Sequence, residues 1–339
     1  MNQFSRSLLL LCIAWTAVLM TLGAYVRLED AGLGCPDWPG CYGHLTVPDE
    51  HHELLHAENR FGMPVDIAKG WKEMIHRYVA GGLGLLVLAL SLRLARERRQ
   101  HGQSVWPALL PLVLVLVQGA FGMWTVTLKL MPVVVTAHLI GGMLILMYLL
   151  CLAARAMPGW SWPATLRPLW LLAIVLVVLQ IVLGGWVSTN YAALACDGFP
   201  QCQGRWIVSE GLLEALRPDR ALGVSADGLP LMTHHLAAIH WLHRLGALLV
   251  SVTLLLLSYR LWPLSARYAL LILFALLLQV GLGIANVLLG LPLWLALAHH
   301  SGAALLLAIL LFGFARYRPQ FRAAVVPALS RLASESGIA

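Results

Sequence analysis

The chain has 339 residues, 60% of them hydrophobic and 12% charged, with a formal net charge of +7. Its mean hydropathy of +0.78 lies far from the average of soluble globular domains. The positive charge is accounted for by arginines beside apolar runs, where they face anionic lipid, so nucleic acid is not needed as a partner.

Eight apolar runs follow one another, at about 8–27, 73–95, 106–127, 132–155, 168–188, 235–259, 266–287 and 291–314. Each has about the 20 residues a helix needs to cross a bilayer core of roughly 30 Å. Backbone groups in lipid must be satisfied within their own segment, so the spans are helices. The first run is too long for a signal peptide and has no clear small-residue cleavage site before Arg27. It is expected to be a retained first helix.

With eight spans both termini share a side. That side carries Arg6, then Arg93, Arg96, Arg98 and Arg99, then Arg155 and Arg167, then Arg260 and Arg267, and finally Arg316, Arg318, Arg322 and Arg331. The positive-inside rule puts these in the cytoplasm. The long loops 28–71 and 189–234 then face outward, where an oxidising compartment allows disulfides. They hold Cys35, Cys41, Cys196 and Cys202. Cys12 and Cys151 fall within spans and read as small apolar core residues.

A shift of 161 residues brings the chain into register with itself. "CPDWPGC" (35–41) meets "CDGFPQC" (196–202), Gln118 meets Gln279, Gly122 meets Gly283, His138 meets His299 and Gly23 meets Gly184. The second span of each half is six residues out of step, so "IHR" at His76–Arg77 pairs with "LHR" at His243–Arg244. Four spans per half make the repeats parallel, related by an axis near the membrane normal. The expected fold is all-α and integral to the membrane: two pseudo-symmetric four-helix bundles, residues 1–160 and 161–339, each with an outer cysteine loop.

His76 opens the second span and His138 follows Pro132 at the head of the fourth. At 1.5 Å per residue both fall within roughly 10 Å of the outer surface, as do His243 and His299. A single intramembrane His reads as an interhelical hydrogen bond or a proton relay. Two at one depth, duplicated in a second bundle, point to a metal centre, and haem iron with axial histidines is the obvious candidate. Arg77 and Arg244 stand where propionates would seek cations, or where interfacial arginines would snorkel. His240 and His300 keep the second ligand pair ambiguous, and the repeat register selects His243 and His299. His44, His51, His52, His56, His234 and His235 read as solvated rim residues of the outer loops.

The halves differ at one place. Glu73 lies three residues before His76 and on the same helical face, while His240 stands three before His243. An acid beside one site alone suggests that one haem is worked upon while the other carries electrons. The plainer reading is an acid favoured by a helix N-terminus. Each Cys-x5-Cys pair can close a small loop as a disulfide capping the bundle mouth. Redox chemistry is the alternative, more so for the first pair.

"EMIHR", the paired histidines and the duplicated Cys-x5-Cys loops together resemble the heme A synthase family over about residues 8–315. The resemblance implies an oxidoreductase that converts the C8 methyl of haem O to a formyl group, giving haem A, with water as oxygen source. It implies that His76 and His138 ligate the substrate haem, that His243 and His299 hold haem b, and that Glu73 acts as acid/base or stabilises charge at the reacting methyl. It implies Cys35–Cys41 as the pair suspected of redox or transfer work, beside a second bond Cys196–Cys202. Its implied setting is the bacterial inner membrane, with the cysteine loops periplasmic. Implied partners are membrane lipid, a haem O synthase as donor, the terminal oxidase assembly machinery and an unidentified electron acceptor. A homo-oligomer is left open. The competing class is a dihaem membrane cytochrome b that only carries electrons.

Overall fold

The computed structural model describes residues 1–319. Arg322 and Arg331, and the last twenty residues of the half 161–339, lie outside the described residues. Eight long helices cross the molecule: α1 (Gln3–Leu28), α3 (Ile67–Gln100), α4 (Trp106–Thr127), α5 (Pro132–Arg155), α6 (Arg167–Thr189), α8 (Thr233–Leu261), α9 (Ala266–Leu288) and α10 (Leu293–Ala315). All eight are long and apolar enough to span a bilayer. The protein is an all-α, eight-helix, multi-pass membrane protein.

The helix starts follow local chemistry. Asn2 accepts from the Ser5 N–H at 2.9 Å and Asp66 from the Lys69 N–H at 3.0 Å, each satisfying an otherwise free donor. Pro107, Pro132 and Pro168 sit in first turns, where no N–H is required. The Asp66 cap starts α3 at Ile67, six residues before the apolar run, because its first turns are polar. His76 therefore does not open its helix but lies nine residues into it, about 13 Å of rise. The loop 28–71 also holds a short helix, α2 (His51–Phe61), closed by Gly62 at φ 70°. His51, His52 and His56 lie on it, and His234 and His235 lie in the first turn of α8. A single turn, α7 (Leu212–Ala215), interrupts the second loop.

In the first half α1 packs on α3, α3 on α4, α4 on α5 and α5 on α1; in the second, α6, α8, α9 and α10 close the same cycle. The α5 and α10 helices meet along the seam. Hydrogen bonds cross it: Thr21 to Ser301 at 3.2 Å, Thr136 to Thr189 at 3.2 Å, and Arg27 to the Ser188 carbonyl at 2.7 Å. Left-handed backbone recurs 161 residues apart, at Asp30 and Tyr191, Tyr42 and Gln203, and Leu130 and Leu291. At the end away from the cysteine loops, a short parallel ladder joins β1 (Trp160–Trp162) to β2 (Tyr317–Pro319). It seats Trp162 on Trp170 with ring centroids 4.7 Å apart.

The two largest apolar cores occupy that same end, while smaller clusters pack under the cysteine loops. One gathers Leu9, Cys12, Val87, Leu90 and Leu149; the other gathers Trp170, Leu254, Leu257, Ile272 and Leu310. Toward the cysteine loops the facing positions turn from Leu and Val to Gly, His and Gln. The fold thus leaves its polar, space-making residues at one end of each bundle.

Candidate functional site

Each of the four histidines stands against a glycine of the next helix. A Cβ on Gly23 of α1 would come within 2.9 Å of the His76 ring, and one on Gly122 of α4 within 3.4 Å of His138. In the second half a Cβ on Gly184 of α6 would lie 3.1 Å from His243, and one on Gly283 of α9 3.0 Å from His299. His76 and His138 stand on α3 and α5 of the first helix cycle, and His243 and His299 on α8 and α10 of the second. The Nδ1 atoms of His138 and His299 are buried without a hydrogen-bond partner. His240 Nδ1 and His300 Nε2 are likewise buried without a hydrogen-bond partner, but among the described residues neither ring is among the atoms nearest a glycine Cβ position.

Among the described residues no group of three or more His, Cys, Asp and Glu converges as a metal-binding cluster. The donors come as imidazole pairs in a glycine-lined space. Such a set suits axial ligation of haem iron better than a tetrahedral zinc site.

Glu73 is 5% exposed and fully engaged. Its Oε2 accepts the Cys35 N–H at 2.9 Å, and its Oε1 accepts from Nη2 of Arg77, one turn further along the helix. The other guanidinium nitrogen of Arg77, Nη1, donates to the carbonyls of Asp37 at 3.0 Å, Pro39 at 3.2 Å and Gly40. Acid, base and cysteine loop therefore form one unit above His76. Cys35 and Cys41 are bonded, with sulfurs 2.03 Å apart. Asp37 ties the loop to itself by accepting the Tyr42 N–H at 2.6 Å and the Gly43 N–H at 2.8 Å.

The second half keeps the clamp and loses the acid. Cys196 and Cys202 are bonded, and Arg244 Nη1 donates to the carbonyls of Gln201 at 3.0 Å and Pro200 at 3.4 Å. With His240 at the place of Glu73, Arg244 Nη2 is buried without a partner. The sequence suggested propionate-binding or snorkelling roles for these arginines; the structure shows that each first serves as a strap for its disulfide loop.

Sequence reasoning missed the glutamine contacts. Gln118 donates to the His138 carbonyl at 2.6 Å and Gln279 to the His299 carbonyl at 2.9 Å. Both stood out in the repeat, but only as a matched pair. Gln180 donates to the His243 carbonyl at 2.9 Å, and its Nε2 lies 3.0 Å from the ring Nδ1. It has no glutamine counterpart 161 residues earlier, where Leu19 stands, so self-comparison passes over it.

An eight-span helical membrane protein with imidazole pairs at one end of its bundles is the class that fold and site define. Residues 6–311 match the model of the cytochrome oxidase assembly protein family, COX15-CtaA. The heme A synthase of Shewanella oneidensis is 45% identical over 314 residues, covering 89% of this chain and 93% of that protein. Those of Chelativorans sp. and Methylobacterium radiotolerans are 30% and 31% identical, covering 93% and 87% of this chain and 90% and 85% of their own lengths. The chain belongs to the heme A synthase family.

Proposed function

We propose that this protein oxidises the C8 methyl of haem O to a formyl group, yielding haem A for terminal oxidases. The first half, residues 1–160, takes the substrate between His76 and His138. The second, residues 161–339, holds haem b between His243 and His299. The observation that carries the reading is the one-sided acid: two glycine-faced histidine pairs, of which only the first has a buried carboxylate one turn away.

Converting a methyl to a formyl group with water as oxygen source releases four electrons and four protons. Haem b, when bound, supplies a one-electron redox centre through which those electrons can leave toward an acceptor outside the chain. The protein's own part is to orient the substrate and move protons. His76 and His138 would hold the macrocycle from two different helices, α3 and α5. The Glu73 carboxylate is the proton acceptor nearest that site, and Arg77 with the Cys35 N–H holds it in place. Its engagement with the loop couples proton uptake to the seating of the Cys35–Cys41 cap. An apolar cleft of about 400 Å³ between α4, α5 and α6 has Gln118 and Gly141 in its wall, on the flank of the His138 helix.

The arginine positions favour termini in the cytoplasm, with both disulfide loops on the periplasmic face of a bacterial inner membrane. Delivery of haem O would then come from a membrane haem O synthase. The test is haem extraction from cells that lack or express the chain. Haem A formed only with the chain, and haem O accumulating without it, supports the reading; unchanged haem A refutes it.

A further inference from the structure

Three of the four histidines share a device that the fourth lacks. A glutamine from the neighbouring helix donates Nε2 to the histidine's main-chain carbonyl, and its Oε1 fills the space over a glycine three residues further on. The sets are Gln118, His138 and Gly141; Gln180, His243 and Gly246; Gln279, His299 and Gly302. A Cβ at any of these glycines would collide with the glutamine, so each glutamine requires its glycine. A helical carbonyl has two lone pairs, and the glutamine uses the one that the helix leaves free.

At His76 both members of the set are replaced together. The position matching Gln180 is Leu19, and the position three after His76 is Val79. The α1–α3 contact is made one turn lower instead, where Trp15 Nε1 donates to the Val79 carbonyl at 2.9 Å and Gly82 makes room for the Trp15 ring. His76 thus has the same glycine slot at its ring as the others but no tie at its own backbone. Gln180 and Gln279 do more than Gln118: the Nε2 of Gln180 also lies 3.0 Å from the His243 ring Nδ1, and that of Gln279 3.5 Å from the His299 ring Nε2.

We propose that a Gln–Gly lock on both histidines, and not on one alone, is what separates a resident from an exchangeable haem site. Gln180 is a positioning residue that fixes His243 and makes the second site permanent. The Leu19–Val79 replacement leaves His76 free to release the macrocycle, as a site that must take in substrate and let out product requires. This rests on the assignment of substrate to the first half and haem b to the second.

The experiment uses full-length protein in detergent, loaded with two equivalents of haemin and mixed with excess apomyoglobin as haem acceptor. Two phases of haem loss are expected, the fast one absent from a His138→Ala variant. Leu19→Gln with Val79→Gly slows the fast phase roughly three- to tenfold, the equivalent of one added buried hydrogen bond. Gln180→Met, similar in length but without a donor, speeds the slow phase by a like factor. It also shifts the midpoint potential of the remaining haem, which a merely structural contact would not do. If Gln180→Met fails to assemble, the Leu19→Gln/Val79→Gly pair decides alone. One common rate in wild type, or rates unchanged in the variants that assemble, overturns the inference. Haem identification in cells reports separately: wild type that makes no haem A but shows both phases and their shifts would sink the proposed reaction and leave the lock standing.

Discussion

Arg77 and Glu73, four residues apart on α3, form a buried ion pair whose arginine also donates to three carbonyls of the Cys35–Cys41 loop. The pair closes the first bundle by binding its cap to the helix that carries His76. In the second bundle Arg244 does the same strapping without an acid. The contrast is chemical more than architectural: a buried carboxylate stands beside the first arginine, and His240 stands in its place beside the second.

Replacing Glu73 should separate chemistry from cofactor retention. Glu73→Gln keeps the Cys35 N–H bond and removes the charge. The expected outcome is haem O, or the half-oxidised alcohol, accumulating in extracted haem while the absorption spectrum of the second-half haem is unchanged. Glu73→Ala should add instability, because removing one partner of a buried pair costs on the order of 3–5 kcal/mol, reduced here because Arg77 keeps its three carbonyls. Thermal unfolding in detergent reads that difference.

The first cap should loosen when its strap is cut. Arg77→Ala leaves Glu73 buried without its counter-charge and frees the carbonyls of Asp37, Pro39 and Gly40. Reductant followed by a maleimide should then label Cys35 and Cys41 well before Cys196 and Cys202. Arg244→Ala should reverse the order.

The glycine slots predict site-selective damage. Gly23→Ala brings a methyl within 2.9 Å of His76 and should abolish haem A formation while haem b remains. Gly184→Ala, at 3.1 Å from His243, should deplete haem b. Haem identified and counted per chain distinguishes the two. Equal loss of both haems from either variant would mean that the slots serve packing alone.

Opening each disulfide removes a loop constraint worth about 2 kcal/mol for so short a loop. Cys196→Ser with Cys202→Ser is expected to cost stability with little effect on haem A formed per folded chain. The same change at Cys35 and Cys41 should lower haem A formation as well, because the Cys35 N–H holds Glu73. Thermal unfolding and haem extraction on the same samples check this.

Much of the fold was legible because lipid imposes a simple rule: spans of about 20 apolar residues must be helices. The spans come out within two residues, except that α1 starts five residues before its apolar window and α3 extends six residues before and five beyond its own. The short amphipathic α2, written as "HHELLHAENRF", was hidden inside a polar loop and is held by contacts such as Tyr42 against Phe61. The histidines and Glu73 were legible because ionisable groups in spans are costly and therefore conspicuous. The partner of Arg77 was not, since a cation near a surface gives no hint of which carbonyls will find it. Gln180 was invisible for a different reason: its meaning lies in what Leu19 and Val79 are not.

The central claim is that the two histidine pairs hold two haems with different fates. Its most direct test is the haem content of purified wild type, His138→Ala and His299→Ala, with the haems extracted and identified. The account predicts that His138→Ala keeps haem b and forms no haem A, while His299→Ala loses haem b. If both variants lose the same haem to the same extent, the division of labour between the halves is wrong.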